Sequence, residues 1–497
     1  MSREGRVVLG LAALFLGSRL FALTGLPAFF DETADVRWAV EIASGEKLLR
    51  PWNYGKGLSV FVNALLFPWA FDHYLWASRA LAVGFGAVSF FVGIAAGRRI
   101  FDAKTGLVFG LLYVCCPFAL FYDRLVLTDP PMAAFAALSL LLTVRLHEDP
   151  RRGRALLLAL ALAAAVLTKA TALLVVVIPL AGLLLLGRAD SRRVRAFGLA
   201  LAAAAVVLFW PVQRFFATTS TVRLGVGHRD ADVVARLTTN LPLAFTWLVT
   251  YWTLPLALLA VGGVLLDLRG RPRPVLFLAA LVAVPVLGFA AISTLWFPRY
   301  LVFVTVPALL LAARGLVRLQ ERTPRWTQAL ILAGALAPAL AFDRDSLFEP
   351  VRADLPDIDR AQFVLGWPSG YGTEETVAFV REELQHHPGG LTVVVHVQSR
   401  RTTWIALGLE FAREPRVELR DLDLTQPQNL DLLAAWAHTR PTLLVLSPVG
   451  AARARPEPLT WAHLGGLALR TYKPDGALCD EIYRLDPPPP QASSPSS

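Results

Sequence analysis

Two neighbouring carboxylates, Asp31 and Glu32, stand in "PAFFDETADVRW", between one of the most apolar stretches of the chain and a segment of helical character. Four further places put charge beside or inside apolar sequence. Lys56 lies in "NYGKGL", Arg124 and Asp129 in "YDRLVLTDPPM", Lys169 interrupts the run from Ala155 to Gly187, and Arg299 opens "PRYLVFVTVPALLL". Cations and carboxylates gathered at one membrane face suit a phosphate-bearing lipid head group together with a proton acceptor. Each residue also has a plain structural explanation. Asp31 is placed to cap "ETADVRWAVEIASGE", whose Val36, Ala39, Val40 and Ala43 form one apolar face, and a cap is compatible with a catalytic role. Asp129 ahead of Pro130 and Pro131 has the form of a helix start. Lys56, Lys169 and Arg299 fit residues that snorkel to, or anchor at, a membrane interface.

The elements that position these residues follow from composition. The chain has 497 residues, 55% apolar and 17% charged, and its mean hydropathy is positive. That much apolar surface cannot be hidden in one soluble core, so the sequence predicts an integral membrane protein. A net charge of +10 would point to nucleic acid in a soluble protein. Here the basic residues sit in short loops between apolar runs, a pattern that orients a membrane protein instead. Runs near the length of a span occur at 7–26, 75–97, 106–122, 130–146, 154–169, 171–187, 196–216, 242–266, 274–293, 299–317 and 326–342, about eleven in all, with "TKAT" dividing the long run around Lys169. The first is read as a retained span, not a cleaved leader.

One set of loops, with "MSREGR", "GRRIFDAK", "RLHEDPRRGR", "GRADSRRVR", "LRGRPRP" and "RGLVRLQERTPR", holds about twenty Arg and Lys against about ten in the other set. The expectation is an N-terminus in the cytoplasm and, with an odd number of spans, an extracytoplasmic C-terminus. The transmembrane domain then covers residues 1–342, with outer loops at 27–74 and 217–241. From Asp343 the signals become those of a soluble fold. "ETVAFVREELQHH" and "DLLAAWAHT" read as helices and "LTVVVHV" and "TLLVLSPVG" as buried strands, giving a small extracytoplasmic α/β domain over 343–485. Residues 486–497, "PPPPQASSPSS" within them, form a disordered tail by composition. His386 and His387 read as a solvated helix end. Cys115, Cys116 and Cys479 imply no disulfide framework. No Walker loop or internal repeat is present, so no nucleotide or redox cofactor is expected.

The succession of "FDE" after the first span, "GKGL", "DRLVLTDPP", "LTKATALLVVVIPL", "PRYLVFVTVPALLL" and "GWPSGYGTEETVAFV" resembles the family-39 and aminoarabinose-transferase-like membrane glycosyltransferases of the GT-C fold, relatives of the protein O-mannosyltransferases. The likeness runs over about residues 7 to 400 and is densest before residue 180. It implies a mainly α, polytopic enzyme that moves a hexosyl or pentosyl unit, with inversion, from a polyprenyl-phosphate donor to a protein, lipid or glycan acceptor outside the cytoplasmic membrane. It implies that Asp31, with Glu32 beside it, is the catalytic base. It assigns Lys56, Arg299, Tyr300 and Lys169 to the donor phosphate, and Asp129 and Arg124 to the acceptor or a divalent cation. Where relatives carry Lys-Pro-Pro, this chain has Gly-Lys-Gly. Two other classes compete. A transporter or flippase of a lipid-linked precursor calls for inverted repeats and mid-span charge, and an envelope scaffold leaves the charged outer face unexplained.

Overall fold

The computed structural model describes residues 2–218, 233–396, 402–426, 428–447 and 465–485. Most of the loop expected at 217–241 and the tail at 486–497 lie outside the described residues. The chain divides into two compact units, one of residues 1–25 and 38–356 and one of residues 26–37 and 357–497.

The first unit is helical, as apolar sequence in a bilayer must be when every backbone amide needs a partner within its own segment. All eleven apolar runs are helical. Among the described residues, seven helices are long and apolar enough to cross a membrane: Phe67–Ile100, Asp129–Glu148, Ser191–Thr218, Val233–Asp267, Pro272–Ile292, Pro298–Glu321 and Arg325–Phe348. The pair Ala103–Val114 and Pro117–Asp123, bent by 61°, makes an eighth if taken as one span. The other three runs are shorter or more charged: Arg3–Leu20 holds Arg3, Glu4, Arg6 and Arg19, Arg152–Thr168 has 17 residues, and Ala170–Leu185 is shorter still. The breaks have chemical causes. Pro117 has no N–H to donate and pushes Cys116 into an extended conformation (φ −85°, ψ 117°). Thr253 leaves the helical region (φ 58°) two residues ahead of Pro255.

An ion network, buried at Arg314 and Asp267 and half-exposed at Asp102 and Arg318, ties three of these elements. Arg314 donates to Asp267 at 2.7 Å and to Asp102 at 2.6 Å, and Arg318 donates to Asp267 at 2.7 Å. The basic string "RGLVRLQERTPR" reads as a loop from its charge, but the Thr305–Glu321 helix continues through Arg314 and Arg318. Burial there is possible because the carboxylates neutralise the guanidinium where it sits.

The second unit is built on a five-stranded sheet: β1 (Leu391–His396), β2 (Val417–Leu422), β3 (Thr442–Leu446), β4 (Gly465–Tyr472) and β5 (Leu478–Leu485), in the order β2-β1-β3-β5-β4. Strands β2, β1 and β3 run parallel, and β5 pairs antiparallel with both β3 and β4. Val393, Val395, Leu443, Val445 and Ile482 share a core with Val377, Val380 and Leu384 of helix Thr373–His386. Val394 and Leu444 share another with Leu433 and Ala437 of helix Gln428–Thr439. With both faces covered, β1 and β3 are continuous apolar runs, which is why they were legible as strands. Arg484 holds Glu383 in a two-point pair at 2.9 and 2.5 Å, and that hydrogen bonding lowers the Glu383 carboxyl below its ordinary range.

Arg314→Met removes the residue shared by Asp102 and Asp267 and is expected to destabilise the helical unit by about 3 kcal/mol or more, because charges are left in a dehydrated place. Thermal unfolding of the purified variant in detergent reads this out. An unchanged melting temperature would show that the network contributes nothing.

Candidate active site

In the first unit, the break at "TKAT" organises the charged residues. Helix Arg152–Thr168 ends and Lys169 is extended (φ −152°, ψ 120°), after which the chain resumes as a 3-10 helix, Ala170–Val176. The extended residue aims an ammonium group out of what would otherwise be a continuous apolar rod. Its Nζ lies 2.5 Å from Asp129 Oδ1 and 4.1 Å from the centre of the Tyr300 ring. Asp129 occupies the first turn of helix Asp129–Glu148 with Pro130 and Pro131, the helix start that its sequence foretells. Its buried carboxylate pairs with Lys169 across 40 residues.

The same break fixes the "GKG" segment, because the N–H of Ala170 donates to the Gly55 carbonyl at 2.9 Å. Gly55 has φ +66°, and a Cβ there would lie 2.6 Å from the Ala170 Cβ, so only glycine permits this approach. Lys56 follows directly, at the N-terminus of helix Gly57–Ala64, with its Nζ 5.8 Å from the centre of the Trp38 ring. Arg299 sits in the 3-10 turn Pro298–Val304, buried, with its guanidinium 4.9 Å from the centre of the Phe297 ring. Lys169 is within electrostatic reach of Asp129, Arg299 and Lys56. The structure thus brings together Lys56, Asp129, Lys169, Arg299 and Tyr300 from four separate stretches of sequence.

Arg124 lies elsewhere in its contacts. It donates to the carbonyls of Arg19, Phe21 and Ala22, closing the end of helix Arg3–Leu20, and its neighbour Asp123 lies 3.7 Å from Arg19. Charges five residues apart in "DRLVLTD" therefore have different partners.

Asp31 and Glu32 belong to the second unit. Both lie in the first turn of helix Phe30–Ala43, and the carboxylate that closes the helix start is Glu32: buried, it accepts from the Phe29 N–H at 3.0 Å. This is the reach-back arm of a capping box, which a glutamate's length suits and an aspartate's does not. Asp31 is partly exposed.

Beside Lys56 lies an aromatic and charged group that no single motif marks in the sequence. Trp38 stacks near Tyr54, with ring centres 4.9 Å apart, and the Arg50 guanidinium lies 5.9 Å from the Trp38 ring centre. Glu41 holds Lys47 at 2.9 Å and Arg50 at 2.7 Å. Burial alone would raise the Glu41 carboxyl, but the two cations outweigh it and lower it below its ordinary value. The signal available was the run "KLLRPWNYGK", where cations alternate with aromatics. An apolar cavity of about 350 Å³ is lined by residues on both sides of Lys169 in sequence, Leu162, Val166, Leu173 and Val176, together with Ala204 and Phe209. Among the described residues, no three His, Cys, Asp or Glu side chains are grouped to hold a metal ion.

Residues 64–214 match the family described as dolichyl-phosphate-mannose-protein mannosyltransferase. No curated protein matches the chain by sequence. Among solved structures, ArnT from Cupriavidus metallidurans in the apo state is similar with a TM-score of 0.58 at 16% identity, over 96% of this chain and 97% of that one. The same protein bound to undecaprenyl phosphate gives a TM-score of 0.55 at 16% identity, over 97% and 98%. The Archaeoglobus fulgidus oligosaccharyltransferase in its apo form is similar at 0.52 and 12% identity, over 96% of this chain and 74% of that one. The mycobacterial arabinofuranosyltransferase AftD is similar at 0.53 and 16% identity, over 98% of this chain but 40% of that one. The chain has the GT-C fold that ArnT, the oligosaccharyltransferase and AftD share, and residues 64–214 carry its likeness in sequence to the mannosyltransferase family.

Proposed function

We propose that this protein is an inverting glycosyltransferase that takes a sugar from a polyprenyl-phosphate donor and delivers it to an acceptor on the outer face of the cytoplasmic membrane. The observation that carries the proposal is the gathering of Asp129, Arg299 and Lys56 around Lys169, with an apolar cavity lined by residues that flank Lys169 in sequence. Cations beside an apolar wall match a ligand with a phosphate at one end and an isoprenoid chain at the other. Undecaprenyl phosphate bound to ArnT and the dolichyl-phosphate-mannose in the name of the matched family support the same donor class.

In the reaction, the acceptor's hydroxyl or amine attacks the anomeric carbon while the bond from that carbon to the phosphate oxygen breaks. The electron pair leaves with the phosphate, so Lys56 and Arg299 stabilise the transition state more than the bound donor, with Tyr300 beside the Lys169 ammonium. Asp31 takes the proton released by the nucleophile. Asp129 holds Lys169 in place and remains the acid assigned to the acceptor side, whereas Arg124, bound to the carbonyls that close helix Arg3–Leu20, is left out of the reaction. A flippase would need two alternating openings, for which the fixed Lys169–Asp129 pair offers no evident device.

Sidedness is checked by reporter fusions: those after about residues 148, 190 and 320 should report cytoplasm, and those after about 50 and 410 should report the outside. A cytoplasmic signal at 410 would remove the outer-face site.

Donor binding is checked with undecaprenyl phosphate. Lys56→Ala and Arg299→Ala should each weaken it by roughly tenfold, the loss of about one charge-assisted contact. Unchanged affinity in the double variant would show that the two residues only anchor the protein at the interface.

Asp31→Asn keeps the size of the side chain but cannot accept a proton, so single-turnover transfer from polyprenyl-phosphate-linked mannose, arabinofuranose or aminoarabinose should fall roughly a hundredfold or more with undecaprenyl phosphate affinity intact. Glu32→Ala, by contrast, removes the helix-start acceptor and should cost about 1 kcal/mol of stability. If Asp31→Asn transfers as fast as wild type, the base lies elsewhere.

A further inference from the structure

The residues just before Asp31 are held by the C-terminal part of their own unit. The Phe30 N–H donates to the Pro368 carbonyl at 2.8 Å. The Phe29 ring packs on Phe363 at 4.7 Å and the Phe30 ring meets Trp367 edge-on at 5.2 Å. Gly370 comes so near that a Cβ built on it would lie 2.5 Å from the Ala28 carbonyl oxygen and 2.8 Å from the Ala28 nitrogen. No other residue fits between the two backbones.

The turn that makes these contacts, residues 366–372, is itself fixed by side chains. Lys473, buried, donates through Nζ to the Ser369 carbonyl at 2.9 Å and the Tyr371 carbonyl at 2.6 Å. Thr402 Oγ1 donates to the Trp367 carbonyl at 3.2 Å, and Ser369 Oγ donates to the Val364 carbonyl at 2.8 Å. A methionine would fill the space of Lys473 without dehydrating a charge. What the ammonium adds is a fixed place for two carbonyls of one turn. One residue beyond the Phe30–Pro368 bond stands Asp31, and the Glu32 carboxylate on the Phe29 N–H sets the direction in which the helix leaves. A shift of the turn therefore reaches the Asp31 carboxylate with almost no slack.

We infer that the 366–372 turn, through Gly370 and Lys473, is the positioning element of the Asp31 carboxylate, so that the C-terminal part of the chain governs the chemical step of transfer. The inference rests on the proposed role of Asp31 as base. It makes Gly370 and Lys473 positioning residues, which touch neither donor nor acceptor.

The test uses the full chain in nanodiscs, with the three polyprenyl-phosphate sugars named above for transfer and undecaprenyl phosphate for binding. Gly370→Ala and Lys473→Met should slow single-turnover transfer by about tenfold or more while affinity for undecaprenyl phosphate stays within about twofold, as a displaced base predicts. In an Asp31→Asn background, Gly370→Ala should have no further effect. The same fall in both backgrounds, or a parallel loss of affinity, overturns the inference. Wild-type rates for Gly370→Ala and Lys473→Met beside a slow Asp31→Asn overturn it alone, whereas a wild-type rate for Asp31→Asn overturns the base assignment and this inference with it. If Gly370→Ala does not fold, Trp367→Phe and Trp367→Ala replace it. The first keeps a ring edge against Phe30 and should transfer near the normal rate, the second should be slow, and equal rates for the two overturn the inference.

Discussion

An amine carried in the middle of an apolar run has to be neutralised where it sits, and the pairing of Lys169 with Asp129 is the interaction on which the charged part of this structure depends. The helix breaks at Lys169 so that the ammonium can reach the carboxylate. The break frees the Ala170 N–H, which binds the Gly55 carbonyl and thereby places Lys56. The ammonium also lies over the ring of Tyr300, the residue directly after Arg299. One ion pair thus registers four segments that are far apart in sequence. Had position 169 been leucine, the run from Ala155 to Gly187 would be free to continue as a helix, and the loop at Gly55 would lose its partner.

The pair also separates two kinds of buried charge. The network of Arg314, Arg318, Asp102 and Asp267 is built of arginines with carboxylates on them, each donor fork matched to an oxygen. Such a network holds helix ends together and leaves little for a ligand. The cluster at Lys169 mixes ammonium groups, a guanidinium and aromatic faces, and residues that flank Lys169 in sequence line an apolar cavity. Charge alone does not distinguish the two, since each sets a buried carboxylate against cations. The difference lies in the groups that face the carboxylates: matched guanidinium forks in one, an ammonium group over an aromatic ring in the other.

The second unit joins residues 26–37 to a sheet built more than 350 residues later in the chain. Its interior is ordinary, with aliphatic layers on both faces of β1 and β3. Its unusual feature is the backbone-to-backbone approach at Gly370, where a short stretch before the Phe30–Ala43 helix is gripped by aromatic rings and a carbonyl. Within that grip Asp31 and Glu32, adjacent and chemically alike, come to differ. The longer side chain turns back to the Phe29 N–H and is buried, while the shorter one stays partly exposed.

Much of this was written in the sequence. Long apolar runs can only be helices in lipid, so the eleven helical segments, the division at "TKAT" and the start at Asp129 before two prolines were all legible from local chemistry. Strands β1 and β3 were legible because burial on both faces makes them uniformly apolar, whereas β2 and β4, the two edges of the sheet, mix polar and apolar residues and gave no such signal. The capping role went to Glu32 and not Asp31, because which carboxylate reaches an amide depends on side-chain length and on where the helix begins, within a residue. The partners of Lys169, Arg124, Arg314 and Gly370 were decided by tertiary structure alone. Composition and periodicity report how each segment relates to its solvent, but the pairing of one charge with another 40 to 212 residues away follows only from how the helices pack.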